Sequence, residues 1–436
     1  MSSKEQIATQ IVQTLHQNGF EAYFAGGCVR DQLRGVVPRD FDIATSARPE
    51  QVRQLFPRTV PVGVQFGVIL VVEDGNHFEV ATFRTEGGYQ DGRHPTRVEF
   101  SGVKEDALRR DFTVNGLYYD IKTKKVLDFV NGEADLKKKI LRTIGNPDQR
   151  FLEDHLRLLR AVRFAVQLGF EIAPETVVSI RKHAPKIGKV SAERIRDEFS
   201  KILTSSEPAW GVRKLDELGL LKEFLPEAEK MKGVEQPMEY HPEGDVFIHT
   251  MLLLDGLKNA PLELAMGSLL HDIAKPDTFE RAVDRIRFHG HDTLGAEKSE
   301  VICRRLAFSN EQTHLIRELV AHHLRFKDAF QMKTSTLKRF FSLDRFDLHM
   351  ELHRLDCLAS HKNLDAHEFC KKKLEEFSKE PPPPSRVIGG GDLIQMGFKP
   401  GPEFTEILRE VEDGVLEGTI RNKEEAIEFV KKRGKK

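Results

Sequence analysis

Apolar residues follow different patterns in two parts of the chain. From about residue 20 to 145 they alternate with polar residues or form short runs, such as GVILVV at 67–72 and FEVATF at 78–83. Glycine-containing turn signals separate the runs, and this pattern predicts strands of a small sheet with a few helices. After Pro147 the apolar residues recur with a period near 3.6, for example at 152–170, which predicts helices to the end of the chain.

This change of pattern predicts an α+β protein with a sheet-containing N-terminal head followed by helices. Two changes of composition mark further boundaries, a polar stretch near 233–245 and a proline run followed by glycines at 381–392. We expect a head at 1–147, a helical neck at 148–235, a helical body at 236–378 and a helical tail at 379–436.

Composition excludes several classes of protein. A hydrophobic fraction of 39% and a charged fraction of 31% are typical of a water-soluble globular chain. The four cysteines are scattered without CxxC spacing, so we expect reduced thiols and a cytoplasmic location. We expect neither secretion nor a membrane partner, because no apolar run reaches about 18 residues. The net charge of -1 gives no overall attraction to nucleic acid, so RNA binding would need local basic surface.

Two aspartates one residue apart provide the first candidate chemistry. Asp40 and Asp42 lie in RDFDIAT, and side chains at positions i and i+2 of an extended strand point to one face, where they can hold divalent metal. Upstream, Gly26 and Gly27 open a helix that carries Arg30. Glycines let the backbone approach a triphosphate, and the helix start offers amide hydrogens. The order of glycine pair, helix and aspartate pair predicts a nucleotidyltransferase.

The expected reaction assigns roles to further residues. In nucleotidyl transfer the attacking hydroxyl must be deprotonated and aimed at an α-phosphate, and two metals can stabilise the attacking and leaving oxygens. Glu79 is the candidate third carboxylate, with a surface strand carboxylate as the equal alternative. Arg30 and Arg84 suit the triphosphate because a guanidinium offers a rigid fork of donors.

The segment EDHLR contains a second candidate pair. Asp154 and Arg157 lie three positions apart, so on one helix they share a face where a carboxylate and a guanidinium can meet the edge of a base. An i,i+3 salt bridge alone would explain the same spacing. Arg160 and Arg163 follow on this helix, and we expect them to line the same pocket or to bind phosphate.

Five motifs occur in order along the chain: GGCVRDQL, RDFDIAT, RRDFTVNGLYYD at 109–120, EDHLRLLRAVRFA at 153–165, and ERIRDEF at 193–199. This set resembles the class II tRNA nucleotidyltransferases, which are the bacterial CCA-adding enzymes and their relatives the poly(A) polymerases. The resemblance implies a DNA polymerase beta-like nucleotidyltransferase head, and then neck, body and tail helices that hold the tRNA acceptor arm.

The resemblance also implies roles for individual residues. RRDFTVN is assigned to ribose recognition, with a capped helix start as the alternative, and Asp154 with Arg157 acts as a protein template that selects CTP and then ATP. The expected catalytic residues are Asp40, Asp42 and Glu79, with Mg²⁺ as the cofactor. The expected nucleotide-binding residues are Gly26, Gly27, Arg30, Arg84, Arg110, Asp111, Asn115, Asp154, Arg157, Arg160 and Arg163.

The expected function is template-independent addition of C, C and A to the 3′ end of tRNA from CTP and ATP. In the family, enzymes that add only part of the CCA sequence differ from those that add all of it mainly in a flexible loop. This loop follows the strand that carries the aspartate pair. The segment at 84–100 is similar to the longer version, which favours full CCA addition. CC-only addition, A-only addition and poly(A) synthesis stay as alternatives, as does a non-enzymatic tRNA-binding protein. No obligate protein partner is expected.

Histidines and aspartates between 240 and 365 form a second candidate site. Their order resembles that of an HD domain, a helical fold of metal-dependent phosphohydrolases. Imidazoles and carboxylates suit a divalent transition metal with an open position for water. The expected ligands are His249, His271, Asp272 and Asp356, while His289, His291, His322 and His323 would enlarge the site and Lys275 would serve a bound phosphate. The alternatives are a phosphohydrolase acting on RNA ends or nucleotides, and an HD fold kept as a tRNA-binding scaffold.

Overall fold

A computed structural model of the protein describes residues 3–63, 66–89, 92–93, 95–239, 241–283, 285–380 and 387–433. The chain divides into two compact units, one of Met1–Glu229 with Leu257–Ala260 and the other of Lys230–Gly256 with Pro261–Lys436. The finer boundaries expected between head, neck, body and tail stay predictions.

The N-terminal part of the first unit contains most of the strands. Its elements in chain order are α1 (Ser3–Gln17), β1 (Ala22–Ala25), α2 (Gly27–Leu33), β2 (Asp42–Thr45), α3 (Pro49–Leu55), β3 (Thr59–Gly63), β4 (Val68–Glu73), β5 (Asn76–Thr82), β6 (Arg84–Gly87), β7 (Arg97–Phe100), α4 (Val103–Leu108), β8 (Leu117–Asp120), β9 (Lys125–Asp128), α5 (Gly132–Lys138) and β10 (Ile140–Leu141).

Seven of these strands form one mixed sheet in the order β3-β4-β5-β2-β1-β8-β9. β2 is antiparallel to β1 and parallel to β5, so Ala25 lies opposite Asp42 and Ile43 lies opposite Val80. Along β5, Phe78 and Val80 are buried in the core shared with α1 and α3. Because side chains alternate along a strand, Glu79 points to the opposite face of the sheet. That face carries the site.

The segment 84–100 contains a two-stranded antiparallel sheet. β6 pairs with β7, with Arg84 opposite Phe100 and Gly87 opposite Arg97. The flexible loop expected here therefore has regular structure at both ends. Three of its residues, Gln90, Asp91 and His94, lie outside the described residues.

The rest of the first unit is almost entirely helical. Its elements are α6 (Pro147–Glu153), α7 (Arg157–Leu168), β11 (Glu171–Ile172), α8 (Pro174–His183), α9 (Ala192–Leu203), α10 (Pro208–Glu217), α11 (Leu221–Phe224) and α12 (Pro226–Glu229). Apolar residues of α7 are buried where it packs against α9 and α10.

The helix expected over 152–170 is interrupted. α6 ends at Glu153, Asp154 has an extended backbone with φ -140° and ψ 107°, and α7 begins at Arg157. The prediction that Asp154 and Arg157 share a face of one helix is therefore wrong. The periodicity did not reveal the break, because apolar residues continue at helical spacing on both sides of it.

The second unit consists of helices and one short hairpin. Its elements are α13 (Val246–Asp255), α14 (Leu262–Leu270), β12 (Phe279–Arg281), β13 (Ile286–Phe288), α15 (His291–Arg305), α16 (Asn310–His322), α17 (Thr334–Phe341), α18 (Phe346–Ala359), α19 (Asp365–Phe377), α20 (Gly390–Gln395), α21 (Pro402–Leu416) and α22 (Lys423–Arg433). Among the described residues, no helix is both long and apolar enough to span a bilayer.

These elements confirm the predicted α+β class, with a sheet-containing head followed by helices. The expectation of exclusively helical neck and body segments is wrong in two small places. β11 of the neck pairs with β10, and β12 pairs with β13 in the second unit.

Candidate functional site

A cleft of about 500 Å³ lies on the sheet face that carries Glu79. Predicted catalytic and nucleotide-binding residues line it, with the exception of Asp40: they are Gly26, Gly27, Arg30, Asp42, Glu79, Arg84, Arg110, Asp111, Asn115, Asp154, Arg157, Arg160 and Arg163. The structure therefore brings together residues that lie more than a hundred positions apart in the sequence.

Two carboxylates on neighbouring parallel strands lack partners. Asp42 begins β2 and Glu79 lies in the middle of β5. Among the described residues, neither side chain accepts a hydrogen bond or forms an ion pair. Burial and the charge of Glu79 raise the pKa of Asp42 to about 6, with Asp40 adding to the effect and Arg110 opposing it. Both side chains are accessible from the open cleft, so a cation could reach this excess of negative charge.

Asp40 is placed differently from Asp42. It precedes β2, and its exposed carboxylate forms an ion pair with Lys4 of α1, with 2.6 Å between Nζ and Oδ1. Lys4 also donates a hydrogen bond to the carbonyl oxygen of Arg39 at 2.9 Å. The expectation that both aspartates lie in an extended strand is therefore wrong for Asp40.

The backbone at Gly26 lies against a buried guanidinium. Gly26 has a φ of 72°, and a Cβ atom there would lie only 2.9 Å from Nη1 of Arg110. Arg110 donates hydrogen bonds to Oη of Tyr118 at 2.9 Å and to the carbonyl oxygen of Asn115 at 3.3 Å. Burial would lower the pKa of Arg110, but Tyr118 and Asp106 outweigh it and raise that pKa. Glycine at 26 therefore allows this cation to approach the start of α2.

A chain of hydrogen bonds connects α2 to α7 through Asn115. Its Oδ1 accepts from Nη1 of Arg30 at 2.6 Å, and its Nδ2 donates to Oδ1 of Asp111 at 3.2 Å. Arg160 donates to Oδ2 of Asp111 at 2.6 and 2.9 Å. Burial would raise the pKa of Asp111, but Arg160 holds it at about 2. Asp111 and Asn115 meet through a short 3₁₀ turn at Thr113–Asn115.

Asp154 and Arg157 each have a partner outside the pair. Asp154 forms an ion pair with Arg194 of α9 at 2.9 Å. Arg157 donates through Nη1 to Oε2 of Glu153 at 2.6 Å and to the carbonyl oxygen of Arg150 at 3.1 Å. The alternative explanation of the spacing, an i,i+3 salt bridge, is therefore wrong. Arg194 therefore holds the acceptor, Asp154, at the cleft, and Glu153 holds the donor, Arg157.

Two other arginines of the cleft are neutralised by buried acids. Arg84 donates from Nε to Oε1 of Glu86 at 2.6 Å, and Arg163 donates to Glu198. Burial lowers the pKa of both arginines. The guanidinium of Arg163 also lies 3.9 Å from the ring centroid of Phe164, a cation–π contact that fixes it against α7.

Sequence patterns did not single out the residues whose side chains hold the predicted site residues in place. These are Lys4, Glu86, Asp106, Tyr118, Glu153, Phe164, Arg194 and Glu198. Five of them lie in the motifs quoted above: Tyr118 in RRDFTVNGLYYD, Glu153 and Phe164 in EDHLRLLRAVRFA, and Arg194 and Glu198 in ERIRDEF. Lys4, Glu86 and Asp106 lie outside these motifs and had no signal.

The second unit brings the predicted HD ligands together. Nε2 of His249 lies 3.1 Å from Oδ1 of Asp356 and 3.3 Å from Nε2 of His271, and the latter lies 3.1 Å from Oδ2 of Asp272. Burial would lower the pKa of His249, but Asp356 and Glu243 outweigh it and raise that pKa to about 9. Lys275 contacts the same Asp272 oxygen at 2.7 Å.

Two further histidines approach the other oxygen of Asp272. Nε2 of His291 lies 3.4 Å and Nε2 of His323 lies 3.8 Å from Oδ1. Both Nε2 atoms are buried and lack a hydrogen-bond partner among the described residues. Backbone carbonyls accept hydrogen bonds from Nδ1 of His271, His291 and His323 at 2.8, 2.7 and 2.7 Å. Each of these rings therefore presents the lone pair of Nε2 to Asp272 when neutral.

The cluster differs from the prediction in its membership. His289 is exposed and belongs to none of the candidate metal-binding groups, and His322 pairs with Glu318 at 3.2 Å. Sequence patterns missed His241 and Glu243, which lie beside His249. Burial would raise the pKa of Glu243, but hydrogen bonds from His249 and His241 lower it, so this side chain is a carboxylate at neutral pH.

Comparison with protein families matches three parts of the chain. The model of the "Poly A polymerase head domain" matches residues 22–142. The model of a "Probable RNA and SrmB- binding site of polymerase A" matches residues 169–232, and a model of tRNA nucleotidyltransferase domain 2 matches residues 292–430. The first match includes the strands that carry Asp42 and Glu79.

Similar solved structures extend over the whole chain. The CCA-adding enzyme of Bacillus stearothermophilus in complex with CTP has a TM-score of 0.76 and 27% sequence identity, with 100% of both chains covered. The Thermotoga maritima CCA-adding enzyme complexed with tRNA has a TM-score of 0.61 and 19% identity, with 99% of this chain and 95% of that chain covered. The second likeness supports the fold alone.

Curated relatives give the same assignment. A protein of Lactiplantibacillus plantarum named CCA-adding enzyme is 46% identical over 211 residues, which is 48% of this chain and 52% of the relative. A protein of Streptococcus mutans with the same name is 34% identical over 443 residues, which is 99% of this chain and 98% of the relative. The resemblance noted from the five motifs is thereby confirmed. The chain belongs to the family of CCA-adding enzymes, and it is a nucleotidyltransferase that uses a divalent metal.

Proposed function

We propose that this protein adds C, C and A in turn to the 3′ end of tRNA from CTP and ATP, without a nucleic-acid template. The observation that carries the proposal is one cleft in which Asp42 and Glu79 face five or more arginines. Relatives named CCA-adding enzymes, and a solved relative in complex with CTP, support the substrates. The cytoplasmic location expected from the reduced cysteines stays a prediction.

The carboxylates of the cleft fit Mg²⁺. Oxygen ligands on a rigid scaffold are what this ion prefers, and Asp42 and Glu79 offer oxygens that no described residue occupies. Asp40 would complete the set with the oxygen that Lys4 leaves free, or with both oxygens once the ion pair opens. Magnesium bound there would supply positive charge for the attacking and leaving oxygens.

The arginines of the cleft would bind and orient the nucleotide. Arg30, Arg84 and Arg110 line the cleft, where phosphate oxygens can accept their hydrogen bonds. Gly26 lets the phosphates approach because its Cα carries no side chain. Asp111 and Asn115, held by Arg160 and Arg30, suit the ribose hydroxyls as acceptor and donor.

Asp154 and Arg157 would read the base. A carboxylate accepts from an exocyclic amine, and a guanidinium donates to ring nitrogen and carbonyl acceptors, so the two side chains can complement cytosine or adenine edges. The ion-pair partners of Asp154 and Arg157 are Arg194 and Glu153, whose side chains are partly exposed. A small shift of these ion pairs would change the distance between the acceptor and the donor. Such a shift would let one protein surface accept CTP first and ATP afterwards.

The histidine cluster supports a second candidate function, metal-dependent hydrolysis of phosphoesters such as RNA ends or nucleotides. We propose that His249, His271, Asp272 and Asp356 hold a divalent transition metal, with His291 and His323 on the other oxygen of Asp272. The observation in favour is that four buried Nε2 atoms lie within 3.8 Å of the Asp272 carboxylate. Those of His291 and His323 lack a hydrogen-bond partner among the described residues. Lys275 lies beside the cluster and would neutralise a phosphate.

Full CCA addition predicts an ordered pattern of incorporation. Labelled CTP and ATP are supplied one at a time to tRNAs that end at each successive step. CTP alone should extend the chain by two residues, and ATP should be added once and only after them. A stop after CC, addition of A alone, or long A tails would each replace the proposal by one of the alternatives. Release of phosphate without incorporation would favour a hydrolase, and retention of tRNA without turnover a binding protein.

The Asp42→Asn variant tests the metal role. Incorporation of both nucleotides should fall about a hundred-fold or more, because a charged metal ligand is lost, while tRNA retention stays. Folding raises the pKa of Asp42 from 3.8 to about 6, so between these pH values the folded protein holds a proton that the unfolded chain releases. The free energy of unfolding of the wild-type protein should therefore fall as pH rises from about 4 to about 6. That of the variant should not fall for this reason.

Thermal unfolding in a chelator measures this second effect. Above about pH 6 the variant should be more stable by up to about 1 kcal/mol, a value reduced for screening by solvent in the open cleft. At about pH 4 the two proteins should be equally stable. Full incorporation activity in the variant would contradict the metal role.

The Arg157→Ala variant tests base selection. Its preference for CTP over UTP and GTP should weaken about 10- to 100-fold, because one donor to the base is removed. Affinity for the triphosphate should change little, since Arg30 and Arg110 remain. Steady-state kinetics with each nucleotide measures both quantities. Arg181→Ala, which breaks an exposed ion pair with Glu217, is the matched control. An unchanged CTP preference in Arg157→Ala would remove the templating role.

Metal removal tests the second site separately from the first. Protein treated with a chelator should bind Co²⁺ again, with the visible absorption of an ion held by imidazoles and carboxylates. The Asp272→Asn variant should lose this absorption and keep CCA addition in Mg²⁺, because Asp272 lies in the other unit. Co²⁺ absorption that persists unchanged in the variant would contradict the proposed ligand set.

A further inference from the structure

A buried carboxylate that no motif singled out lies next to the histidine cluster. Oε1 of Glu243 accepts hydrogen bonds from Nδ1 of His249 at 2.7 Å and from Nδ1 of His241 at 2.8 Å. The side chain of Glu243 is 7% exposed, and that of His249 is fully buried. Oε2 of Glu243 is buried and has no hydrogen-bond partner among the described residues.

The segment before α13 explains why Glu243 reaches this position. Asp245 caps α13 by accepting from the amide of Ile248 at 2.8 Å, and its other oxygen accepts from the amide of Gly233 at 2.6 Å. Gly244 has a φ of 129°, in the region that side chains rarely allow. The capped helix and this glycine turn the chain back, so that Glu243 lies beside the ring of His249 in the next turn.

A carboxylate in this position fixes how His249 can act. An imidazole that gives Nε2 to a metal carries its single proton on Nδ1, and a carboxylate can only accept that proton's hydrogen bond. Backbone carbonyls perform this task for His271, His291 and His323. His249 differs, because a side chain performs it. A mutation can therefore remove the group that orients the ring of His249. No side-chain mutation removes the backbone carbonyls that orient the other three rings.

We infer that Glu243 is a positioning residue of the second metal site, which holds the ring of His249 so that Nε2 faces His271 and Asp356. The inference rests on the metal site proposed above and adds to it the group that orients one ligand. A partner of this kind makes the imidazole a stronger ligand and removes the rotational freedom that binding would otherwise have to restrict.

Direct ligation of a metal by Glu243 is the competing explanation. His241, Glu243 and His249 also form a candidate group of three ligand atoms. Two ligand atoms on a tetrahedral ion with bonds of about 2.0 to 2.1 Å lie about 3.3 Å apart. The nitrogen–oxygen distances of 2.7 and 2.8 Å are shorter, and they are the lengths of charge-assisted hydrogen bonds. The geometry therefore favours an orienting carboxylate.

The test compares Co²⁺ binding to the metal-free full-length protein and its variants. Equilibrium dialysis and visible absorption give the affinity, and X-ray absorption counts the imidazole ligands. The Glu243→Ala variant should bind Co²⁺ about 10- to 100-fold more weakly and with one imidazole fewer. Glu243→Gln should recover part of the affinity, because its amide oxygen still accepts from Nδ1. The exposed Glu239→Ala change is the control, and all variants should keep CCA addition.

The possible failures are distinguishable. If the wild-type protein binds no Co²⁺, the proposed metal site itself is overturned, and the inference falls with it. If the wild type binds Co²⁺ and Glu243→Ala binds it equally tightly with the same number of imidazoles, the metal site stands and the role of Glu243 is overturned. A crystal structure of the Co²⁺ form with a Glu243 oxygen bonded to the ion would also overturn it. Should Glu243→Ala not fold, as judged by circular dichroism, Glu243→Leu, which fills the space but accepts no hydrogen bond, decides by the same criteria.

Discussion

The repulsion between Asp42 and Glu79 is the interaction on which the head depends. Two parallel strands hold these carboxylates on one face of the sheet, and no described side chain neutralises them. Such an arrangement costs stability, and it persists because the strand pairing and the core behind it fix both positions. Arg110 relieves the repulsion only in part, and Arg160 and Arg163 pair with the buried acids Asp111 and Glu198 instead. The cleft thus keeps an uncompensated charge for a divalent ion.

Ion pairs with acidic side chains also determine how the arginines of the cleft can contact a ligand. A guanidinium held by a buried carboxylate has a fixed position and costs little further entropy when it contacts a ligand. Arg160 and Arg163 are fixed in this way. Asp154 and Arg157 lie at a break between two helices, and their ion-pair partners are Arg194 and Glu153. The cleft therefore combines rigidly held arginines with the pair that we propose reads the base.

The sequence allowed prediction of the fold class and of 13 of the 21 residues that line the cleft. Alternating and 3.6-period patterns depend on local geometry, and motif residues such as Gly26 and Asp42 are recognisable by type and spacing. The break at Asp154 was not predictable, because apolar spacing continues through it. Arg194 lies in the motif ERIRDEF, but its pairing with Asp154, 40 positions away, has no local signal. Glu243 was missed because it belongs to no quoted motif, and its contact with His249 appears only once a capped helix start turns the chain back.

The ion pair between Lys4 and Asp40 places the first turn of α1 beside the segment that leads into β2. Helix α1 is otherwise a supporting element, packed behind the sheet through its apolar side. Its opening residues nevertheless contribute a positive charge close to where the metal is expected. Affinity tags or linkers joined just ahead of this turn would therefore lie beside the reacting groups, and purification handles are better attached elsewhere on the molecule.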